Sequence, residues 1–280
     1  MTLRVVLLGM PRSATTYVYV RLCSTLKGHV MLFEPFNGDV VLNMVEAKGI
    51  AGHDEEGYVP HGFFELPDDL YMAILDNARW TFEWASSLKP SVPFLGHGFW
   101  EIMESLDFLD RPVALKDVYA WVVLDELVEM YPKALFIVTH RDLESHYNAF
   151  MGWYRRLSPW RLLLRKAFRA WRLIVKPRGA TERVRRVREA YERLRNARSP
   201  LNLYTLGLFY RYFTGEALKR ASPGAVREAL KVMHNRYEEM LKRVEGRDNV
   251  IILRFEGRLP EEEAMKAVNK AVEWSRRFDS

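Results

Sequence analysis

The chain has 280 residues, 49% hydrophobic and 28% charged, with a net charge of +6; this allows one large domain or two small ones and is ordinary for a soluble globular protein. Its one cysteine, Cys23, excludes an internal disulfide and a cysteine-rich zinc site and fits a reducing compartment. No apolar run approaches the ~20 residues that span a bilayer, and residues 5–8 are too short for a secretory leader, so the cytoplasm is the expected location. The absence of glutamine beside abundant Arg, Lys and Glu is a trait reported for heat-adapted proteins.

Along the chain, residues 5–8 (Val-Val-Leu-Leu) read as a buried strand, 9–13 as a tight loop and 14–26 as a helix. A second short strand is expected at 30–33. Residues 37–67, rich in Gly, Asp, His and Pro, read as a long loop, and 68–88 has helical spacing. Strands at 113–115 and 134–139 alternate with helices at 121–130 and 143–153; a late strand falls at 249–253 and a terminal helix at 261–278. This alternation predicts a single α/β domain over 1–280, a mostly parallel sheet flanked by helices. Residues 153–214 lack strand alternation and read as a basic helical insertion or lid. Between 155 and 198 there are 16 Lys/Arg and 3 Asp/Glu, a local +13 that leaves −7 for the rest.

In a parallel sheet, ligands bind at the carboxyl ends of the strands, and four such ends carry polar residues. The first, Gly9-Met-Pro-Arg-Ser-Ala-Thr-Thr16, has the frame of the nucleotide motif G-x-x-x-x-G-K-[ST]. Ala14 stands at the second glycine, Thr15 at the lysine, and the basic residue has moved forward to Arg12. A strand, a tight turn and a helix start make an anion device, because the first helical N–H groups lack intrahelical partners. The loop reads as a nucleotide-phosphate site unsuited to the β/γ-phosphates of ATP with magnesium. The other strand ends offer Glu34, then Lys116 and Asp117, then His140, Arg141 and Asp142.

Residues 9–17 resemble the 5′-phosphosulfate loop of sulfotransferases that use 3′-phosphoadenosine 5′-phosphosulfate (PAPS). Phe136-Ile-Val-Thr-His-Arg-Asp142 is similar to their 3′-phosphate motif, a strand ending in Arg-Asp or Arg-Asn. Leu115-Lys-Asp117, Tyr131-Pro-Lys-Ala134, Tyr237-Glu-Glu-Met and Asp248–Glu256 fit the same family. The resemblance implies a P-loop NTPase-like fold, PAPS as sulfuryl donor and no metal. It implies donor binding by Pro11, Arg12, Ser13, Ala14, Thr15, Thr16, Arg141 and Ser145, and catalysis by Glu34, Arg12 and Lys116. Glu34 is the expected base, as in the family branch with Arg in the first loop; where the cytosolic branch has a base histidine two residues after the lysine, this chain has Val118. The family's usual serine eight residues after the motif Arg is Ala149 here, with Ser145 one turn earlier as its substitute and Asn148 as second choice.

The chemistry agrees. A sulfuryl group bears less charge than a terminal phosphoryl group and needs metal neutralisation less, and Arg12 can stabilise the charge developing on the leaving phosphate. His97 is a reserve base, His53 and His61 are candidates to touch the acceptor, and His140 and His146 read as structural neighbours of the phosphate site. No histidine pair has metal-ligand spacing with a third partner. Trp160, Leu163, Leu164, Ala167, Phe168, Trp171, Ile174 and Val175 form one apolar stripe on a cationic helix: either a helix packed on the core with a solvated basic face, or a peripheral membrane contact through 160–175, or a site for an acidic partner. Nucleic acid is not expected. The acceptor is a small molecule, glycan or lipid, with determinants expected in 37–67, 96–103 and the basic helices. The competing readings are a divergent P-loop kinase or NTPase, against which Thr15 speaks, and a non-catalytic membrane-surface protein retaining a nucleotide fold.

Overall fold

The structure, a computed structural model, describes residues 2–38, 40–42, 51–53, 57–59, 62–86, 94–156, 186, 189, 204–216, 218 and 222–278. Its centre is a five-stranded sheet of β1 (Leu3–Gly9), β2 (Val30–Phe33), β5 (Val113–Asp117), β6 (Leu135–Arg141) and β7 (Val250–Phe255). The spatial order is β2-β5-β1-β6-β7, and every pairing is parallel. All of β1 and β5 is buried, as are the first six residues of β6. Their runs of Val, Leu, Ile and Phe are the pattern of strands covered on both faces.

The helices are α1 (Thr15–Thr25), α2 (Asp68–Ser86), α3 (Phe99–Asp107), α4 (Leu124–Met130), α5 (Leu143–Arg156), α6 (Tyr204–Thr214), α7 (Pro223–Val244) and α8 (Glu261–Arg276). Helices α1 and α8 pack on each other and on β1, whereas α7 packs against α4, α5 and α6. Local chemistry explains their ends. Ser222 caps α7 by accepting from the Ala225 N–H at 3.2 Å, with Pro223 following, and Lys242 and Arg243 lie in its last turn. Three glutamates, Glu261 to Glu263, open α8 at its positive end.

The structure departs from the sequence reading in several places. Part of the expected 37–67 loop is an antiparallel pair, β3 (Ala51–His53) with β4 (Gly57–Val59); three-residue strands are too short to show alternation. Strand β5 runs on to Asp117, so Lys116 and Asp117 end the strand instead of following it. The expected helix at 121–130 starts as a 3-10 turn (Ala120–Val123) before α4. The region around His97 leads directly into α3. Of the expected insertion, α6 joins the core: Phe209 is fully buried and stacks on Tyr119 and Trp121. The amphipathic stretch 160–175 and His61 lie outside the described residues. Among the described residues, no helix is long and apolar enough to cross a membrane.

The register places the site. Leu8 pairs with Asp117, Gly9 with Thr139 and Phe33 with Lys116. The chain leaves β1 toward β2 and β5 on one side and reaches β6 and β7 on the other. The carboxyl end of β1 is therefore the switch point where open α/β sheets leave a crevice.

Candidate functional site

The loop after β1 is closed from within. The Ser13 N–H and Oγ both bond to the Met10 carbonyl, at 3.1 and 2.6 Å, and Ser13 Oγ meets Thr139 Oγ1 at 2.8 Å. Ser13 thus fastens the loop to β6. Its close fit explains Gly9: a Cβ there would lie 2.2 Å from Thr139 Oγ1 and 2.6 Å from Ser13 Oγ. Gly9→Ala is expected to destabilise the fold by ~1–3 kcal/mol through overpacking, which urea titration would measure.

Among the described residues, three non-glycine residues have positive φ: Arg12 (68°) and Ala14 (65°) in the loop after β1, and Glu34 (50°) after β2. Left-handed backbone at such residues stores strain and clusters at ligand clamps. Ala14 is the N-cap of α1 and has no side chain with which to cap it, so the start of α1 is left for an external acceptor. Thr15 and Thr16 lie buried in its first turn.

Arg141 ends β6 and reaches across to this loop. Its Nη1 donates to the Arg12 carbonyl at 3.0 Å and its Nη2 to the Gly257 carbonyl, while its Nε–H is buried without a partner. Burial lowers the Arg141 pKa, the nearby Arg12 charge lowers it further, and Asp142 opposes both. Two guanidinium groups held so close form a place that an anion would relieve. Ser145, one turn into α5, has its hydroxyl occupied: Oγ accepts from the Gly257 N–H at 2.9 Å. Asp142 Oδ1 accepts from the Ser145 N–H at 2.8 Å.

On the other side of β1, Lys116 and Glu34 form a buried ion pair between Nζ and Oε1. The second Glu34 oxygen, Oε2, accepts from Asn37 Nδ2 at 2.5 Å, and the Glu34 N–H donates to the Lys116 carbonyl at 2.6 Å. The Lys116 ammonium also lies 4.2 Å from the Phe33 ring centroid. Each Glu34 oxygen thus has one side-chain donor and keeps a second lone pair. Asn37 Oδ1 is buried and unpartnered, so Asn37 can serve Glu34 with one end and a ligand with the other.

Asp117, adjacent to the pair, holds the turn after β5. Its Oδ1 accepts from the N–H groups of Tyr119 (2.6 Å) and Ala120 (2.9 Å), and its Oδ2 from Phe36 (3.2 Å) in the Glu34 loop. Burial pushes its pKa up to about 7, Glu34 adds to the rise, and the three backbone donors oppose it. A carboxyl raised on folding makes the native state bind more protons than the unfolded chain between about pH 4 and 7. Stability should therefore fall as pH rises through that window and level off above it. Urea unfolding at pH 5 and pH 8 should show wild type losing about 3 kcal/mol relative to Asp117→Asn.

The structure thus gathers Arg12, Thr15, Thr16 and Arg141 around the loop after β1, and Glu34 and Lys116 at the ends of β2 and β5. His97 is edge-on to Trp80. The sequence reading did not single out Asn37 or His234; the only signal for Asn37 is an amide three residues after a strand-end Glu. Among the described residues, no group of His, Cys, Asp and Glu could hold a metal ion.

Fold and site together define an α/β protein with a tight loop and an uncapped helix start at the switch point of a parallel sheet, flanked by a buried Lys–Glu pair. A family model described as "Sulfotransferase family" matches residues 4–206. The chain belongs to the sulfotransferase family. No curated protein gives a significant match.

Proposed function

We propose that the protein transfers a sulfuryl group from PAPS to a hydroxyl, or less readily an amine, of a small-molecule, glycan or lipid acceptor, using a P-loop NTPase-like core. The observation that carries the reading is the convergence of Arg12, Arg141 and the uncapped start of α1 on one side of the carboxyl end of β1, with Glu34 and Lys116 on the other. Sulfotransferase family membership supports PAPS-type donor use in general terms.

PAPS supplies an activated sulfuryl group whose bridging oxygen leaves with the 5′-phosphate. Thr15 and Thr16 would bond the 5′-phosphate at the helix start, and Arg12 would stabilise the charge that develops there. Arg141, through its unpaired Nε–H and its remaining Nη hydrogens, would take the 3′-phosphate in a charge-assisted pair. Lys116 would move from Glu34 toward the transferring group. That exchange would uncover Oε1 of Glu34 for the proton of the acceptor hydroxyl. Asn37 would keep the carboxylate aimed through Oε2. Ser13 acts in this scheme by closing the loop, and Ser145 by holding Gly257, whose carbonyl anchors Arg141.

The test is an acceptor screen with sulfate-labelled PAPS over phenols, glycans and lipid alcohols. Label should move to one class with wild type and fail to move with Glu34→Gln. Equal transfer by Glu34→Gln would remove Glu34 from the chemistry.

A further inference from the structure

The base of the loop after β1 rests on a pair of buried histidines that the scheme above leaves unused. His146, on α5, is fully buried, and its Nε2 lies 2.5 Å from the Pro11 carbonyl. Its Nδ1 lies 2.9 Å from Nε2 of His234 on α7, a ring that is also buried. A carbonyl only accepts, so His146 must carry its proton on Nε2. Burial pushes His146 down to about 3, with His234 lowering it further, and burial pushes His234 down to about 4. Both rings are therefore neutral near pH 7. A neutral His146 protonated on Nε2 has Nδ1 as an acceptor, which requires His234 to donate from its own Nε2. One tautomer pattern satisfies the chain from His234 through His146 to Pro11.

The consequence falls on the peptide joining Pro11 to Arg12. No peptide in the described chain is cis. In a trans peptide the N–H points opposite to the C=O. With the Pro11 carbonyl held by His146, the Arg12 N–H faces the other way. The next carbonyl, that of Arg12, is held by Arg141 at 3.0 Å. Two successive carbonyls are thus tied to side chains behind the loop, and Arg12 and Ala14 keep their left-handed backbone. The Ser13 N–H closes the loop on the Met10 carbonyl, so it is the Arg12 N–H that the His146 contact orients.

We propose that His146, oriented by His234, is a positioning residue for the sulfuryl donor: it fixes the Pro11–Arg12 peptide so that the Arg12 N–H is presented to the donor's 5′-phosphate. This rests on the donor-loop reading above. His146 touches neither donor nor acceptor and acts through the backbone. Its partner His234 lies beyond the residues matched by the family model, so the role ties α7 to the loop after β1.

The test compares His146→Leu with His146→Gln, since the Gln amide N–H can reach the Pro11 carbonyl from a similar position. Affinity for 3′,5′-adenosine bisphosphate is measured by calorimetry on the full-length protein, and KM for donor and acceptor is measured separately. His146→Leu should weaken bisphosphate binding about tenfold and raise the donor KM alone. His146→Gln should stay within about threefold of wild type. If folded His146→Leu binds like wild type, or His146→Gln loses as much as His146→Leu, the positioning role is overturned. Should His146→Leu fail to fold, His234→Leu and His234→Gln decide: weaker binding with Leu and recovery with Gln support the role, and equal binding by the two overturns it. A wild-type protein that does not bind the bisphosphate overturns the donor reading itself, and this role with it.

Discussion

Glu34→Gln is expected to lower kcat by about 10²–10⁴, the usual contribution of a positioned general base, while bisphosphate affinity survives. The same substitution strips Lys116 of its buried counter-charge. Removing one member of a buried ion pair typically costs ~3–5 kcal/mol because the other is left uncompensated. Lys116 and Glu34 are both almost fully inaccessible, so the full penalty applies. Lys116→Met should be comparably destabilising, and the double variant Glu34→Gln/Lys116→Met should recover stability to within ~1 kcal/mol of wild type. Activity should not recover with it. That divergence separates the chemical role of the pair from its structural one. If the double variant regained both stability and transfer, the pair would be a packing feature and the base would lie elsewhere.

Arg141→Lys should cut the preference for 3′,5′-adenosine bisphosphate over 5′-AMP by about 10–100-fold. A lysine ammonium cannot reproduce the planar fork of a guanidinium, and a hydrogen bond to a charged group is worth about 1.5–3 kcal/mol. Arg141 also holds the Arg12 and Gly257 carbonyls, so some affinity for both ligands will be lost together. The informative quantity is the ratio, read from paired calorimetric titrations. An unchanged ratio would mean that Arg141 only braces the loop.

Much of the fold was legible because buried parallel strands write themselves as apolar runs: 5–8 and 30–33 lie within observed strands, and 134–139 overlaps β6 in all but Ala134. The strand order was not legible, since nothing in β2 or β5 says which neighbour it will take; the pairing of Phe33 with Lys116 appears only in the register. That register is what brings Glu34 to Lys116 across 82 residues of chain. The loop after β1 showed its strand–turn–helix form in sequence, with Ala14 at the motif's second glycine, but the positive φ of Arg12 and Ala14 appears only in the structure. Yet the same letters did not reveal that the Ser13 hydroxyl points into the loop's own closure, because a hydroxyl's partner depends on where Thr139 arrives. His146 reads in sequence as a neighbour of the phosphate site, and its contact with the Pro11 carbonyl agrees, but its line with Leu143 and Phe150 on α5 does not show which polar group it meets. His234 carried no signal at all, since its meaning comes only from α7 packing beside α5. The exchange of Ser145 for the family's more distant serine illustrates the same limit. The spacing suggested a phosphate ligand, whereas the hydroxyl is bound to the Gly257 N–H.

The central claim is that the loop after β1, with Arg12 and Arg141, accepts an adenosine nucleotide phosphorylated at both 3′ and 5′ positions without a metal. The most direct measurement is a calorimetric titration of the full-length protein, in the presence of a chelator, with 3′,5′-adenosine bisphosphate, and in a parallel series with ATP and magnesium. Saturable one-to-one binding of the bisphosphate in chelator, with ATP–magnesium weaker by at least about tenfold, is the predicted result. Binding of ATP–magnesium without any response to the bisphosphate would contradict the claim and return the loop to the kinase and NTPase class.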